Sequence, residues 1–182
     1  LEGAARAHGL ALFLSHAVRE APGGRCHNAV VLLGRGPAQV VHQKMRTIPV
    51  VEGWSARGER ASPAMVDGVP VGLLVCADAW GAEPTARVAA EGARLLLSPA
   101  AWPPEPHGPD GCWARRSQET GLALLVCNRF GVEPELDFSD GATGVYDQGA
   151  LLAAHAAPTE ALVLVDWSRD TGRVRAAVVR EA

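Results

Sequence analysis

Apolar runs alternate along the chain with short Ala-rich amphipathic stretches, and the length of each run predicts an element. Residues 10–15 (LALFLS) have the character of a buried strand. Residues 28–33 (NAVVLL) and 38–44 (AQVVHQK) flank the turn sequence GRGP and predict a hairpin. Residues 45–70 follow neither period and hold Pro49, Gly53, Gly58, Pro63, Gly68 and Pro70. They are expected to form one long loop, and long loops in compact domains are commonly functional. The continuous apolar run VPVGLLVCADAW (69–80) fits a strand buried on both faces. Pro84 followed by helix formers predicts a helix over 83–93. A strand over 94–99, a loop over 103–111, a helix over 112–120 ended by Gly121 and a buried strand over 122–128 follow. The remainder is strand-rich: GATGVYD and GALLAAH about Gln148-Gly149, then ALVLVDW and RVRAAVV.

Strands alternating with helices in the middle predict an α/β arrangement with helices covering a sheet. Hairpins towards both ends add antiparallel pairs, so the sheets are expected to be mixed. There is no internal repeat, low-complexity tract or linker, and residues 1–182 read as a single domain. The opening LEGAARAHG reads as the end of a helix, which gives the expectation that sequence upstream is missing.

Composition narrows the function classes. Apolar residues make up 48% and charged residues 20%, which is too apolar for a disordered chain. Net charge is -3 and the longest basic block is Arg115-Arg116, so no electrostatic footprint for nucleic acid is present. No apolar run approaches the roughly 18–20 residues of a membrane helix. Cys26, Cys76, Cys112 and Cys127 form no CxxC pair. They are read as free thiols, which favours a reducing, cytoplasmic location. The six histidines form no HxxxH or HxH cluster, so no metal site is expected.

Cys76 is the sharpest chemical feature. It ends an apolar strand a few residues before a helix, where a thiol is exposed at the sheet edge near a positive helix end. The bland reading is a core cysteine, since free cysteines are among the most buried residues. Lys44 ends the strand AQVVHQK, and Glu52 lies eight residues further on in the irregular loop. Each alone reads as solvated surface charge. Trp102 follows a strand at the sheet end where α/β sites form, and is a candidate pocket residue. Arg116 and Glu119 stand i, i+3 on one helix.

Taken in order, these pieces resemble the nitrilase-like carbon–nitrogen hydrolase family. A hairpin that starts at Asn28 ends in Lys44, and an elbow reads Cys76-Ala77-Asp78. A helix carries Arg116 and Glu119, and a strand ends in Asn128-Arg129-Phe130-Gly131. The resemblance covers nearly the whole chain and implies a four-layer α-β-β-α sandwich. It implies a Glu-Lys-Cys catalytic set, with Cys76 as nucleophile and Lys44 beside it. Glu52 matches the second glutamate, with Glu59 as the fallback. The family's general-base glutamate follows its first strand, and no residue here matches it; Glu2 and Glu20 lie in the wrong elements. The first strand, first helix and base are therefore expected upstream of Leu1.

The implied activity is hydrolysis of a small amide, carbamoyl compound or nitrile through a cysteine thioester, a chemistry for which neither a metal nor an organic cofactor is expected. Lys44 and the backbone N–H of Ala77 would take the oxyanion, and Trp102 and Glu119 would border the pocket. Two further readings stand beside it: a glutaminase-type domain supplying ammonia to a synthetase, and a catalytically dead homologue acting in binding or assembly. The resemblance also implies a homodimer or larger homo-oligomer. In this chain the helix carrying Trp113, Arg115 and Arg116, or the segment after Asn128, is expected to reach the partner.

Overall fold

The computed structural model describes residues 1–104 and 109–181. Part of the loop expected over 103–111, with His107, lies outside the described residues. Helix α1 (Glu2–Ala7) leads into β1 (Leu12–Arg19), β2 (Cys26–Leu33) and β3 (Gln39–Gln43), which form an antiparallel three-stranded sheet in that order. The segment expected to be one loop contains a short helix, α2 (Pro49–Glu52), and a three-residue strand, β4 (Ala64–Val66). Both are too short to show a hydrophobic period, which is why the pattern missed them.

Next come β5 (Val69–Leu73), a 3-10 turn (Cys76–Trp80), α3 (Ala82–Ala90), β6 (Leu95–Ala100), α4 (Cys112–Thr120) and β7 (Leu124–Asn128). Two hairpins follow: β8 (Thr143–Asp147) with β9 (Ala150–His155), and β10 (Ala161–Trp167) with β11 (Val174–Glu181). Strands β4 to β9 form a six-stranded sheet in chain order. It is mixed: β5, β6 and β7 run parallel, as their helical crossovers require, and the flanking pairs are antiparallel. The three-stranded sheet is antiparallel throughout, and β10–β11 is a separate ribbon beside β9 rather than part of a second mixed sheet.

Strand alternation sorts the core into two layers. On β5–β6, Leu74 and Leu96 face α3 and α4, where they join Val88, Trp113 and Leu124. Their neighbours Leu73 and Leu97 face the other way and pack with Phe13 and Val30 of the three-stranded sheet. Helices α3 and α4 share one outer layer and touch each other, and α1 packs on β2. The α/β class and the sandwich layering follow. The chain just past β3 and the chain just past β5 are brought together at Asp78, whose carboxylate accepts the N–H groups of Met45, Arg46 and Val75.

Candidate active site

Strand β5 stops at Leu73, a little short of Cys76, where the apolar strand was expected to end. The chain turns at Cys76, whose φ of 49° is a left-handed value for a residue that is not glycine. Such a conformation costs about 1–3 kcal/mol and persists where surrounding contacts fix it. The elbow leaves the Cys76 side chain partly exposed, within reach of the Ala101 carbonyl at 3.8 Å. Cys26, Cys112 and Cys127 are likewise unpaired.

Lys44 is buried, not solvated. Its Nζ donates to both oxygens of Glu52 at 2.7 Å. The Glu52 carboxylate also accepts from Asn28 Nδ2 (2.8 Å) and from the Ile48 N–H (2.8 Å). Four donors on two oxygens leave Glu52 saturated, and they fix the ammonium in one place. The local fold explains the fit: Pro49 starts α2, and one helical turn carries Glu52 back over the end of β3. Asn28 closes the frame, since its carbonyl accepts the Lys44 N–H at 2.8 Å and its own N–H donates to Ser55 Oγ at 2.8 Å. Glu59, the fallback for Glu52, instead lies near Arg25 at 3.6 Å with its side chain exposed.

The electrostatics join the two halves. Burial pushes the Cys76 thiol above its ordinary range, and the Lys44 charge pulls it back, helped by the backbone at Ala101 and Ala77. Glu52 works in the upward direction. The net shift is upward, against formation of the thiolate. Attack on a carbonyl carbon must then be coupled to loss of the thiol proton.

The remaining candidates fall in two groups. Ala77 is buried immediately after the elbow. Trp102 is 3% exposed, and its ring stands edge-on between Trp80 and Trp113, at 5.2 and 5.3 Å. Its backbone is held by the Asn128 amide, which accepts from the Trp102 N–H and donates to its carbonyl, both at 2.9 Å. Glu119 pairs with Arg116 at 2.7 Å, and buried Arg116 reaches the Trp80 carbonyl at 3.5 Å. The Arg116–Glu119 pair thus abuts the elbow through Trp80. A cavity of about 720 Å³ opens elsewhere, over β6–β8 beside β10, bordered by Phe13, Cys127 and His155; Cys76, Lys44 and Glu52 do not line it. The residue that sequence reasoning quoted in the elbow motif but gave no role is Asp78, fully buried and bonded to the backbone just past β3 and just past β5. Its only signal was its place two residues after Cys76.

The model of the carbon-nitrogen hydrolase family matches residues 1–176. The chain belongs to the carbon-nitrogen hydrolase family. Among curated proteins it is similar to a glutamine-dependent NAD+ synthetase of Xylella fastidiosa, 41% identical over 112 residues, which is 59% of this chain and 20% of that protein. Among solved structures it is similar to the amidase from Nesterenkonia sp. AN1, a mutant of which was solved in complex with butyramide. There the TM-score is 0.75 and identity 27%, over 86% of this chain and 61% of that one. The glutamine-dependent NAD+ synthetase from Acinetobacter baumannii shares the fold, with a TM-score of 0.77 at 18% identity over 95% of this chain and 34% of that one. The chain therefore spans about a fifth of the length of the curated relatives it matches. Among the described residues no group of three or more His, Cys, Asp or Glu could hold a metal ion, and no helix is long and apolar enough to cross a membrane.

Proposed function

We propose that this carbon-nitrogen hydrolase chain hydrolyses the side-chain amide of glutamine through a thioester on Cys76. The observation that most supports this reading is the strained elbow thiol lying within the field of the Lys44–Glu52 pair. The Cys76 sulfur bonds to the amide carbon as the thiol proton passes to the general-base glutamate that the family resemblance implies. Because all of its oxygen lone-pair directions are engaged, Glu52 serves as the anchor for Lys44 rather than as that acceptor. Lys44 Nζ and the Ala77 N–H receive the developing oxyanion. The C–N bond then breaks and ammonia leaves with the proton. Water adds to the thioester, the C–S bond breaks, glutamate departs and the thiol is restored.

Glutamine is preferred as substrate because the curated relatives are named for dependence on it. A second reading, a short aliphatic amide, draws on the likeness to the amidase solved with butyramide. Ammonia release from glutamine, butyramide and a simple nitrile separates them. The expected order places glutamine first, with the Cys76→Ala protein silent on all three. Faster release from butyramide would favour the second reading. Undiminished release by Cys76→Ala would remove the assignment of this site.

A further inference from the structure

We propose that Asp78 is a positioning residue that sets the spacing of Cys76 and Lys44, with His42 as its buried partner. The inference rests on the reading of Cys76 as nucleophile. Asp78 Oδ2 accepts the Val75 N–H at 3.0 Å, and Val75 immediately precedes Cys76. Asp78 Oδ1 accepts the N–H groups of Met45 (3.0 Å) and Arg46 (2.8 Å), which immediately follow Lys44. One rigid carboxylate therefore joins the backbone on the entry side of the thiol to the backbone on the exit side of the ammonium. The two segments are otherwise separated by about thirty residues of chain, which hold α2, β4 and β5, and they follow strands of two different sheets.

His42 supplies the fourth donor. Its Nε2 lies 2.9 Å from Asp78 Oδ2, and both side chains are buried. His42 stands two residues before Lys44, so the two occupy the same face of the strand end. An ionised carboxylate is acceptor-only and suits four converging donors. Asparagine would turn an NH2 group towards one pair of them. A purely structural contact could have tied any two points of these segments. Here the tied amides are the immediate neighbours of the two reactive side chains, and the Asp78 bond closes the turn that holds Cys76 in its left-handed conformation.

The test uses thiol reactivity, which needs no knowledge of the substrate. The rate of iodoacetamide addition to Cys76 is followed at pH 8 by mass spectrometry of its peptide, with exposed Cys127 as internal reference. Four proteins are compared: wild type, Asp78→Asn, Lys44→Met and the double variant. Lys44 and Glu52 are the charged groups that act on the thiol. Positioning predicts that Asp78→Asn slows addition about tenfold, and that the same change costs less than about threefold once Lys44 is Met, because the spacing no longer matters. A structural role alone would lower the melting temperature and leave the two substitutions additive. Wild-type reactivity in Asp78→Asn, or a full tenfold loss in the Lys44→Met background, would overturn the inference. Should Asp78→Asn fail to fold, His42→Ala carries the same cycle, with a slowing of at least threefold expected and reactivity within twofold of wild type refuting it. Ammonia release by Cys76→Ala is measured alongside. If that variant stays active, the nucleophile reading fails; if it is silent while the cycle is additive, only the positioning role falls.

Discussion

At the scale of single residues, the site depends on a buried cation whose charge is fully compensated. Lys44 is 1% exposed, and an ion pair this buried contributes position more than stability. In the proposed mechanism its ammonium meets the oxyanion from a fixed position, because Glu52, Asn28 and Ile48 hold the frame around it. Lys44→Ala is expected to lower kcat by about 10²–10³, the scale for losing one oxyanion donor. Arginine should not restore it, because a planar fork does not fit where a compact ammonium is bonded to both oxygens of one carboxylate. A Lys44→Ala protein with wild-type kcat in steady-state assays would refute the role. Cysteine variants give the complementary check. Cys127→Ser should keep turnover within about tenfold, near 1.4 kcal/mol of barrier, since Cys127 faces the separate cavity and not the elbow. Single residues were also where sequence reasoning reached furthest and stopped most abruptly. Lys44, Glu52 and Cys76 carry motif spacing and could be named. Asp78 could not be given its part, because three of its four partners are backbone amides, which no side-chain pattern records.

Among the elements, the long central strands and both crossover helices were legible because each buries a continuous apolar face. What the pattern missed follows from two physical causes. Strand β1 extends to Arg19 although residues 15–17 and 19 are exposed, because ladder bonds to β2 continue where hydrophobic burial has ended. Leu74 and Val75, expected as the last residues of the strand, already lie outside β5, because Asp78 bonds back to Val75 and winds the turn. The irregular segment after Lys44 is also more closely fitted than its composition suggests. The Gly58 N–H donates to the Lys44 carbonyl at 2.8 Å, and a Cβ at Gly58 would lie 2.2 Å from the Gln43 carbonyl oxygen. Backbone cannot yield as a flexible side chain would. Gly58→Ala is therefore expected to destabilise by about 1–3 kcal/mol and to displace the loop that carries Glu52. Thermal melting combined with kcat would show both losses together. An unchanged melting temperature would mean that the loop moves away without cost.

Across the whole molecule, the question is what keeps three separate sheets in register. Trp113 and Arg116, expected at a partner surface, are committed inside the chain; of the three helix residues singled out, Arg115 is the one with a side chain half exposed. Any self-association through α4 must use that remaining face, and light scattering across a dilution series would detect it. Beside the apolar packing of Phe13 and Val30 on β5–β6, a polar tie comes from the β4–β5 turn, Asp67-Gly68, where φ values of 48° and 78° suit the Asp-Gly pair of a tight hairpin. The Asp67 carboxylate accepts a two-pronged contact from Arg35 of the β2–β3 turn, at 2.9–3.2 Å. Its backbone carbonyl accepts from Arg169 of the β10–β11 turn at 3.0 Å. One turn thus fastens the three-stranded sheet, the six-stranded sheet and the ribbon at a single corner. Hydrogen bonding to Arg35 holds the Asp67 carboxyl below its ordinary range. A carboxyl whose pKa is lowered by folding adds stability that is present in full above the unfolded value, about pH 4. That stability is lost as pH falls through the lower folded value. Asp67→Asn removes the charge and keeps the turn, because Asn-Gly favours the same hairpin geometry. The urea midpoint of Asp67→Asn should lie below that of the wild type at pH 7, and the gap should close as pH is lowered from 5 towards 3. Because both partners are partly exposed, raising the salt concentration should also narrow it. A gap that stays constant with pH would show that the corner is held by backbone contacts and not by the Arg35–Asp67 charge pair.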